Sequence, residues 1–414
     1  MFNKKFLKLS SVSLLFVFNS VLSMNVPVLY DTLLRPERAP GSRFQLAVKA
    51  QTGFSTKAFD ENECVANVLN IWNKDQNSLK MLEGFDPLSP IGQLRTLINA
   101  NDDCVRGHFS VAGDLDMDFG FEFSPYLYFC NDFSISLHIP VYSMKLKNVS
   151  WCEQTQDVSA DDLRVKEYLT NDFCNNVRNL GCLDICGWKR SGLGDIAAIF
   201  EWMRDFKQSK PLLKNVRLSA RAGISLPTGK RVDEDKIFAF SFGGDGSTGL
   251  LVGTGMDLNL ASNLQAGLDI QLWHRFGNIR DRRIKTHPCQ TELLLLQKAC
   301  AYKEFGLTQR FNLYLELFEF LKRFSFRAGY QHIKQGDDIL YLSSNKFSDE
   351  VANTAESLQE RTMHSLVLNL SYNFHRDKDS RDIHPYISLF LKLPFNGMRV
   401  AMQRTVGVVF SIDF

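Results

Sequence analysis

Gly244-Asp245-Gly246-Ser247-Thr248-Gly249 repeats the glycine spacing of a dinucleotide-binding turn. That chemistry needs the glycines between a strand and a helix start, where backbone N–H groups meet a pyrophosphate. Here the run opens a strand and lacks the lysine of a phosphate-binding loop, so no nucleotide is expected on it. His364 and Ser365 put a base beside a nucleophile. Neighbours on a strand point to opposite faces, so they cannot share a proton. His274 and Ser365 would meet only by an accident of strand pairing. None of the eight histidines lies in an HExxH motif. Cys182-x-x-x-Cys186 has no histidine nearby in sequence, which makes a metal site the lesser reading of that pair. The residues therefore predict no catalytic group, no metal and no cofactor.

A different set of charged residues recurs at one parity of alternating stretches. Lys49, Asp114, Asp116, Asp118, Glu122, Arg217, Arg221, Asp257, Asp269, Arg275, Arg310, Glu316, Arg327 and Lys392 lie on the parity opposite the apolar one. Their chemistry is that of a wetted, charge-lined passage, or of ion pairs bracing a filled one. With 48 Lys and Arg against 46 Asp and Glu, the chain lacks the basic excess that a nucleic-acid partner calls for.

The elements that must position these charges are strands. From Phe109 to Phe129 most odd positions are apolar (Phe109, Val111, Leu115, Met117, Phe119, Phe121, Phe123, Leu127, Phe129), and the even ones carry acids, Gly and Ser. A period of two gives one apolar and one polar face. Asn131-Asp132 reads as a tight turn, and Phe133, Ile135, Leu137, Ile139 and Val141 continue the pattern. Twelve such strands are read near 43–53, 108–129, 133–146, 192–204, 215–227, 249–262, 264–277, 303–317, 324–333, 362–374, 384–395 and 399–414. The connections alternate, long at 54–107, 147–191, 228–248, 278–302 and 334–361, and short or moderate between. Transmembrane barrels alternate long outer loops with short periplasmic turns; a soluble sandwich has no reason to do so. The expected fold is all-β, a transmembrane antiparallel up-and-down barrel of about twelve strands with long, partly helical outer loops. Ser89-Pro90 and Ser159-x-x-Asp162 mark helix starts in two of those loops. The eleventh connection is read as the short turn "PFNG" at 394–397.

The N-terminus has a basic start and the apolar run "LSSVSLLFVFNSVLS", the layout of a cleaved signal peptide over residues 1–23. Residues 24–42 are then expected as a periplasmic segment and 43–414 as the outer-membrane barrel, with large outer loops at 54–107 and 147–191. In an exported chain the nine cysteines are expected to pair. Cys64 and Cys104 share the first outer loop; Cys152, Cys174, Cys182 and Cys186 share the second; Cys289 and Cys300 share the fourth. Bridges Cys64–Cys104 and Cys289–Cys300 follow, with two more in the second loop in one of three connectivities and Cys130 left free at a turn. The last strand is apolar at Val406, Val408, Phe410, Ile412 and Phe414, and the sequence ends on an aromatic.

"SGLGDIAAIFEW", "RLSARAGISLPTGK" and "GLLVGTGMDLNLASNLQAGLDIQL" resemble the outer-membrane channel family associated with phenol-degradation pathways. The resemblance covers about Gly192 to Leu272, is weaker over 109–141 and at the C-terminus, and does not extend to the Cys-bearing loops. It implies a transporter-like barrel for hydrophobic or aromatic solutes. The terminal Phe is similar to the address read by the barrel-assembly machinery. The expected function is passive passage of a small-molecule solute across the bacterial outer membrane, with membrane lipids and the assembly machinery as partners. A structural or adhesive surface barrel with a closed lumen is the alternative, and a barrel enzyme is a more distant one.

Overall fold

A computed structural model describes residues 30–97, 107–129, 132–154, 170–260, 263–321, 323–374 and 383–414. The signal peptide, the Ser159 helix start, Cys104 and Cys130 lie outside them. Twelve strands form the barrel: β1 Phe44–Ser55, β2 His108–Phe129, β3 Phe133–Glu153, β4 Ile196–Lys207, β5 Asn215–Leu226, β6 Gly249–Asn259, β7 Leu264–Arg275, β8 Thr308–Leu321, β9 Phe324–Gln335, β10 Arg361–Asn373, β11 His384–Met398 and β12 Thr405–Asp413. Each pairs antiparallel with its neighbours in sequence, and β12 pairs with β1, so the sheet closes on itself. Lys49 stands opposite Val409 at the seam, and the Phe44 and Phe414 rings lie 5.9 Å apart at its end.

The alternation of long loops and short turns follows the sequence pattern, with three differences. Residues expected at the start of β8 instead form a separate loop strand, Lys298–Glu304, laddered between Asn278–Arg283 and Ile339–Leu342. The expected "PFNG" turn lies within β11, which runs on to Met398 past a bulge. Pro394 sits at that bulge, opposite Ser365, where a missing N–H costs the ladder least. Short strand Val400–Ala401 then pairs with Lys57–Phe59 of the first loop.

The outward face is a belt of Phe119, Phe121, Ile135, Phe200, Ile224, Val252, Ile270, Leu313, Leu315, Leu366, Leu389 and Val406, all exposed. At the short-turn rim aromatic rings gather on the outside. Phe129 stacks on Phe133 and Phe133 on Phe200, at 6.4 and 5.7 Å. On the other side of the rim Tyr372 lies between Phe324 and Phe374, at 4.8 and 4.9 Å. A single-stripe belt this broad is unfavourable in water, where large apolar patches are rare on soluble proteins.

The long loops pack into a second core above the barrel. Leu69, Ile71, Met81, Leu82, Phe109, Leu115, Phe173, Val177, Ile185, Leu293 and Leu294 are buried there together. The helix Pro90–Thr96 borders it, started as expected by Ser89, whose hydroxyl accepts from the Gly92 N–H at 3.0 Å. Among the cysteines Cys174 is bridged to Cys186. Cys152 and Cys182 are unbridged, so the second loop holds one bridge among its described residues. The expected Cys289–Cys300 bridge is absent: Cys300 is fixed in the loop ladder beside Ser343, and Cys289 sits in the turn closed by Gln290 on His287.

Asp338 pins this loop layer to the barrel rim. Its carboxylate meets Lys303 Nζ at 2.7 Å and accepts from Gly306 N at 2.9 Å. Burial alone would raise its pKa, but the charges of Lys303, Arg275 and Arg361 bring it down to about 2. A carboxyl held below its unfolded value contributes stability above pH ~4, and loses it as the pH falls from ~4 toward 2. Asp338→Asn is therefore expected to remove about 2 kcal/mol at neutral pH and to flatten the acid limb of the unfolding curve. Chemical unfolding at pH 7 and pH 3 checks this; equal acid sensitivity of variant and wild type would overturn it.

Candidate functional site in the barrel interior

Period two sends one side chain in and the next out, so the strands decide which charges enter the lumen. Lys49 (β1), Glu122 (β2), Arg217 and Arg221 (β5), Asp257 (β6), Asp269 and Arg275 (β7), Arg310 and Glu316 (β8), Arg327 (β9) and Lys392 (β11) all point inward. They pair along the inner wall: Lys49–Glu122 and Arg327–Glu316 are register partners on adjacent strands, and Arg221–Asp269 reaches over β6. Tyr314 donates to Asp257 at 2.5 Å, and the exposed end of Arg217 pairs with Asp205.

Asp114, Asp116 and Asp118 are different. The sequence parity puts them in the lumen; the structure turns them to the outer side, where Lys145 and Lys147 of β3 cover Asp116, Lys145 and Lys189 pair with Asp118, and Asn148 donates to Asp114. Between Met117 and Phe119 β2 advances two residues while β3 advances only from Met144 to Ser143. Asp118 is the extra residue of a β-bulge, and one inserted residue reverses every later side chain. Above it, Leu115 and Met117 turn inward and are buried, and the acids turn out.

The interior is filled by a segment the sequence placed elsewhere. Residues 24–42 are expected in the periplasm, but the described part begins at Tyr30 inside the barrel and descends to the short-turn end, where β1 starts. The Lys392 ammonium pairs with Asp31, Arg35 with Glu201, and Arg310 donates to the Tyr30 carbonyl. Thr32 Oγ1 donates to Asp269 at 3.0 Å and Arg327 Nη1 donates to the Leu33 carbonyl at 2.9 Å. A short 3-10 turn, Thr32–Leu34, capped by the Asp31 side chain, aims Leu33 and Leu34 at an apolar socket of Tyr314, Val367, Phe390 and Val409. Phe390 lies flat across Gly407, where any Cβ would come within 2.4 Å of its ring. The polar contacts replace the water that a bare lumen would hold, and the two leucines bury an apolar patch of the inner wall.

This plug separates two cavities. Below it a vestibule of about 980 Å³ reaches the short-turn rim and is lined by Arg35, Arg38, Glu201, Arg217, Asp257 and Glu316. Above it a pocket of about 70 Å³ is lined by Asp31, Lys49, Gln51, Met117, Tyr142 and Lys392. Phe240, Ser241 and Phe242 close that pocket from above. They belong to the 227–248 loop, which Arg190 ties across the mouth by donating to the Phe240 carbonyl at 2.6 Å and to the Arg231 carbonyl.

The chemical motifs separate as strand geometry requires. His364 points outward and shares a hydrogen bond with Tyr330 at 2.7 Å, while Ser365 is buried inside. The glycine run at 244–249 wraps a carboxylate of its own chain: Asp195 accepts from Gly229 N at 2.8 Å and Gly244 N at 2.5 Å. Among the described residues no group of three or more His, Cys, Asp or Glu is arranged to hold a metal. Sequence reading missed Tyr30, Asp31, Thr32, Arg35 and Glu201. The available signal was "DTLL", a capping residue and two leucines in a stretch otherwise assigned to water.

No protein-family model matches the sequence, and no curated protein matches it. Among solved structures the fold is similar to an outer membrane channel from Pseudomonas putida F1, at 9% identity over 92% of this chain and 100% of that one, with a TM-score of 0.47. It is also similar to the Ralstonia pickettii toluene transporter TbuX, at 10% identity over 90% of each chain and a TM-score of 0.36. The β domain of the Bordetella autotransporter BrkA matches at 8% identity over 90% of this chain and 100% of that one, with a TM-score of 0.36.

Proposed function

We propose that the chain is a gated channel of the bacterial outer membrane that passes small organic solutes passively, described here in its closed state. The observation that carries this reading is the plug. A lumen with a vestibule of about 980 Å³ on one side is interrupted by five residues, Tyr30 to Leu34, held mainly by side-chain contacts. A barrel meant only as a scaffold has no use for a wide polar vestibule ending at a removable stopper. The outward belt and the aromatic rim support a bilayer location, since lipid solvates exactly the surface that water does not. β6 at eleven residues has the length a tilted membrane strand needs. The short-turn end is assigned to the periplasm, and the outward-facing Val406, Val408, Phe410, Ile412 and Phe414 to recognition by the barrel-assembly machinery. The resemblance over 192–272 supports hydrophobic or aromatic solutes.

The test is conductance in planar bilayers. Asp31→Ala with Arg35→Ala removes the plug's ion pair to Lys392 and that of the adjoining Arg35 to Glu201, and is expected to raise mean conductance at least tenfold over the wild type. A folded, heat-modifiable double variant that stays as silent as the wild type would favour a closed structural barrel instead.

A further inference from the structure

The parity that parts His364 from Ser365 has the opposite effect two residues along a strand, where side chains share a face. Ser136 and His138 of β3 both point into the barrel, as does Glu122 of β2, and all three are buried. Ser136 Oγ lies 3.0 Å from His138 Nε2, and Glu122 Oε1 lies 3.0 Å from His138 Nδ1. Ser124 Oγ supports the second contact, at 3.0 Å from Nδ1 and 3.1 Å from Glu122 Oε1. We propose that Ser136, His138 and Glu122 form a nucleophile–base–carboxylate triad in the lumen, and that it hydrolyses small carboxylic esters when the plug withdraws. The proposal goes beyond the gated-channel reading and uses it only for access.

The order of the contacts carries the proposal. The Glu122 carboxylate is paired with the Lys49 ammonium and can only accept, so the proton between it and the imidazole sits on Nδ1. In the neutral ring Nε2 is then an acceptor, and the Ser136 hydroxyl donates to it. A serine becomes a nucleophile in this arrangement, with the base at one ring nitrogen and an orienting carboxylate at the other. What covers the triad is the plug. The Tyr30 ring meets the His138 ring edge-on at 5.1 Å, and the Arg221 guanidinium of β5 lies 5.6 Å from the same Tyr30 ring. The Tyr30 hydroxyl is buried without a hydrogen-bond partner, so packing holds that side chain. Arg221 also lines the vestibule, which makes the Tyr30 seat the way from the vestibule to Ser136. Arg221 Nη1 is buried and unpartnered, a donor for the oxyanion of an ester seated where the ring was.

The reaction balances with water as the only co-reactant. Ser136 Oγ bonds to the ester carbonyl carbon as its proton passes to His138 Nε2, and Glu122 stabilises the imidazolium. The ester C–O bond breaks as Nε2 gives that proton to the departing alkoxide. Water, deprotonated by Nε2, then attacks the acyl carbon, and the Ser136 oxygen leaves with the proton. An acid and an alcohol result, and nothing is oxidised or reduced.

The full chain in detergent is tested with an alkyl fluorophosphonate, which bonds to a nucleophilic serine oxygen with loss of fluoride, and with 4-nitrophenyl acetate. Tyr30→Ala, which removes the cover, is expected to give a phosphonyl adduct mapped to Ser136 at least tenfold faster than the wild type. Release of 4-nitrophenolate should rise by at least as much. On the Tyr30→Ala background Ser136→Ala should abolish both gains, and His138→Gln should slow both at least a hundredfold, heat-modifiability reporting folded barrels. Asp31→Ala with Arg35→Ala should expose the same serine without altering its cover residue. No Ser136 adduct in either opened barrel overturns the proposal, as does an adduct rate that His138→Gln leaves unchanged. Conductance in an opened barrel without ester cleavage sinks the triad and leaves the channel standing. Ser136-dependent cleavage in a barrel that never conducts sinks the channel and leaves the triad.

Discussion

Leu313→Arg is expected to cost the barrel about 2–4 kcal/mol, the price of a base at mid-membrane on the outward face of a transmembrane strand. Leu313 of β8 is half exposed on the belt, flanked in register by Leu268 of β7 and Tyr330 of β9, with no acid beside it. Its neighbour Asn312 points inward, is fully buried, and donates to Thr32 Oγ1 of the plug at 3.0 Å. Asn312→Ala should therefore spare the membrane belt and loosen the plug, raising conductance. Urea unfolding in vesicles, with gel mobility before and after heating, reads the first effect and single-channel recording the second. Exchanged outcomes at these adjacent positions would place the β8 register off by one.

Deleting Asp118 is expected to be more damaging still. Without the bulge residue β2 keeps one parity throughout, so the segment above it must turn over. Leu115, fully buried in the loop core, and Met117 would move to the outer surface, at roughly 2 kcal/mol each. Asp116 would be driven into that core away from Lys145 and Lys147, and Asp114 away from Asn148, at several kcal/mol for each uncompensated carboxylate. The alternative is to break the ladder between β2 and β3. Either way the loop layer should open while the lower barrel persists. Proteolysis of the outer loops, with the heat-modifiable core intact, is the measurement; unchanged loop protection would mean that β2 has no bulge to lose.

The barrel was legible because its signal is repeated. Twelve segments of period two and a regular alternation of connection lengths reinforce one another, so an uncertain end such as that of β8 or β11 does not disturb the whole. What was not legible has a single physical character: it depends on where the period slips or on what a segment meets across the chain. Asp114, Asp116 and Asp118 read as lumenal because alternation is blind to an inserted residue, and no Gly or Pro marks position 118 itself. Tyr30 to Leu34 read as periplasmic because a plug has no period. Its partners lie in β4, β7, β8, β9 and β11, up to 361 residues away in the chain. The cysteines show the same limit. Shared loops say which sulfurs can meet, and only the fold says that Cys300 is committed to a ladder.

The plug is joined to β1 by a tether of nine residues, Arg35 to Arg43, in a wall that closes on itself. Fully extended, such a tether reaches about 30 Å, so a displaced plug cannot leave the neighbourhood of the mouth. A short tether keeps its end at an effective concentration on the order of millimolar. Any solute that competes for the plug's seat competes against that standing concentration. On the gated-channel reading the plug would act as a threshold device: a ligand scarce relative to its affinity would leave the barrel shut, and abundance would open it. Tether length becomes a tuning element separate from the seat, and lengthening it with a flexible insert lowers the threshold without altering a single contact inside the lumen.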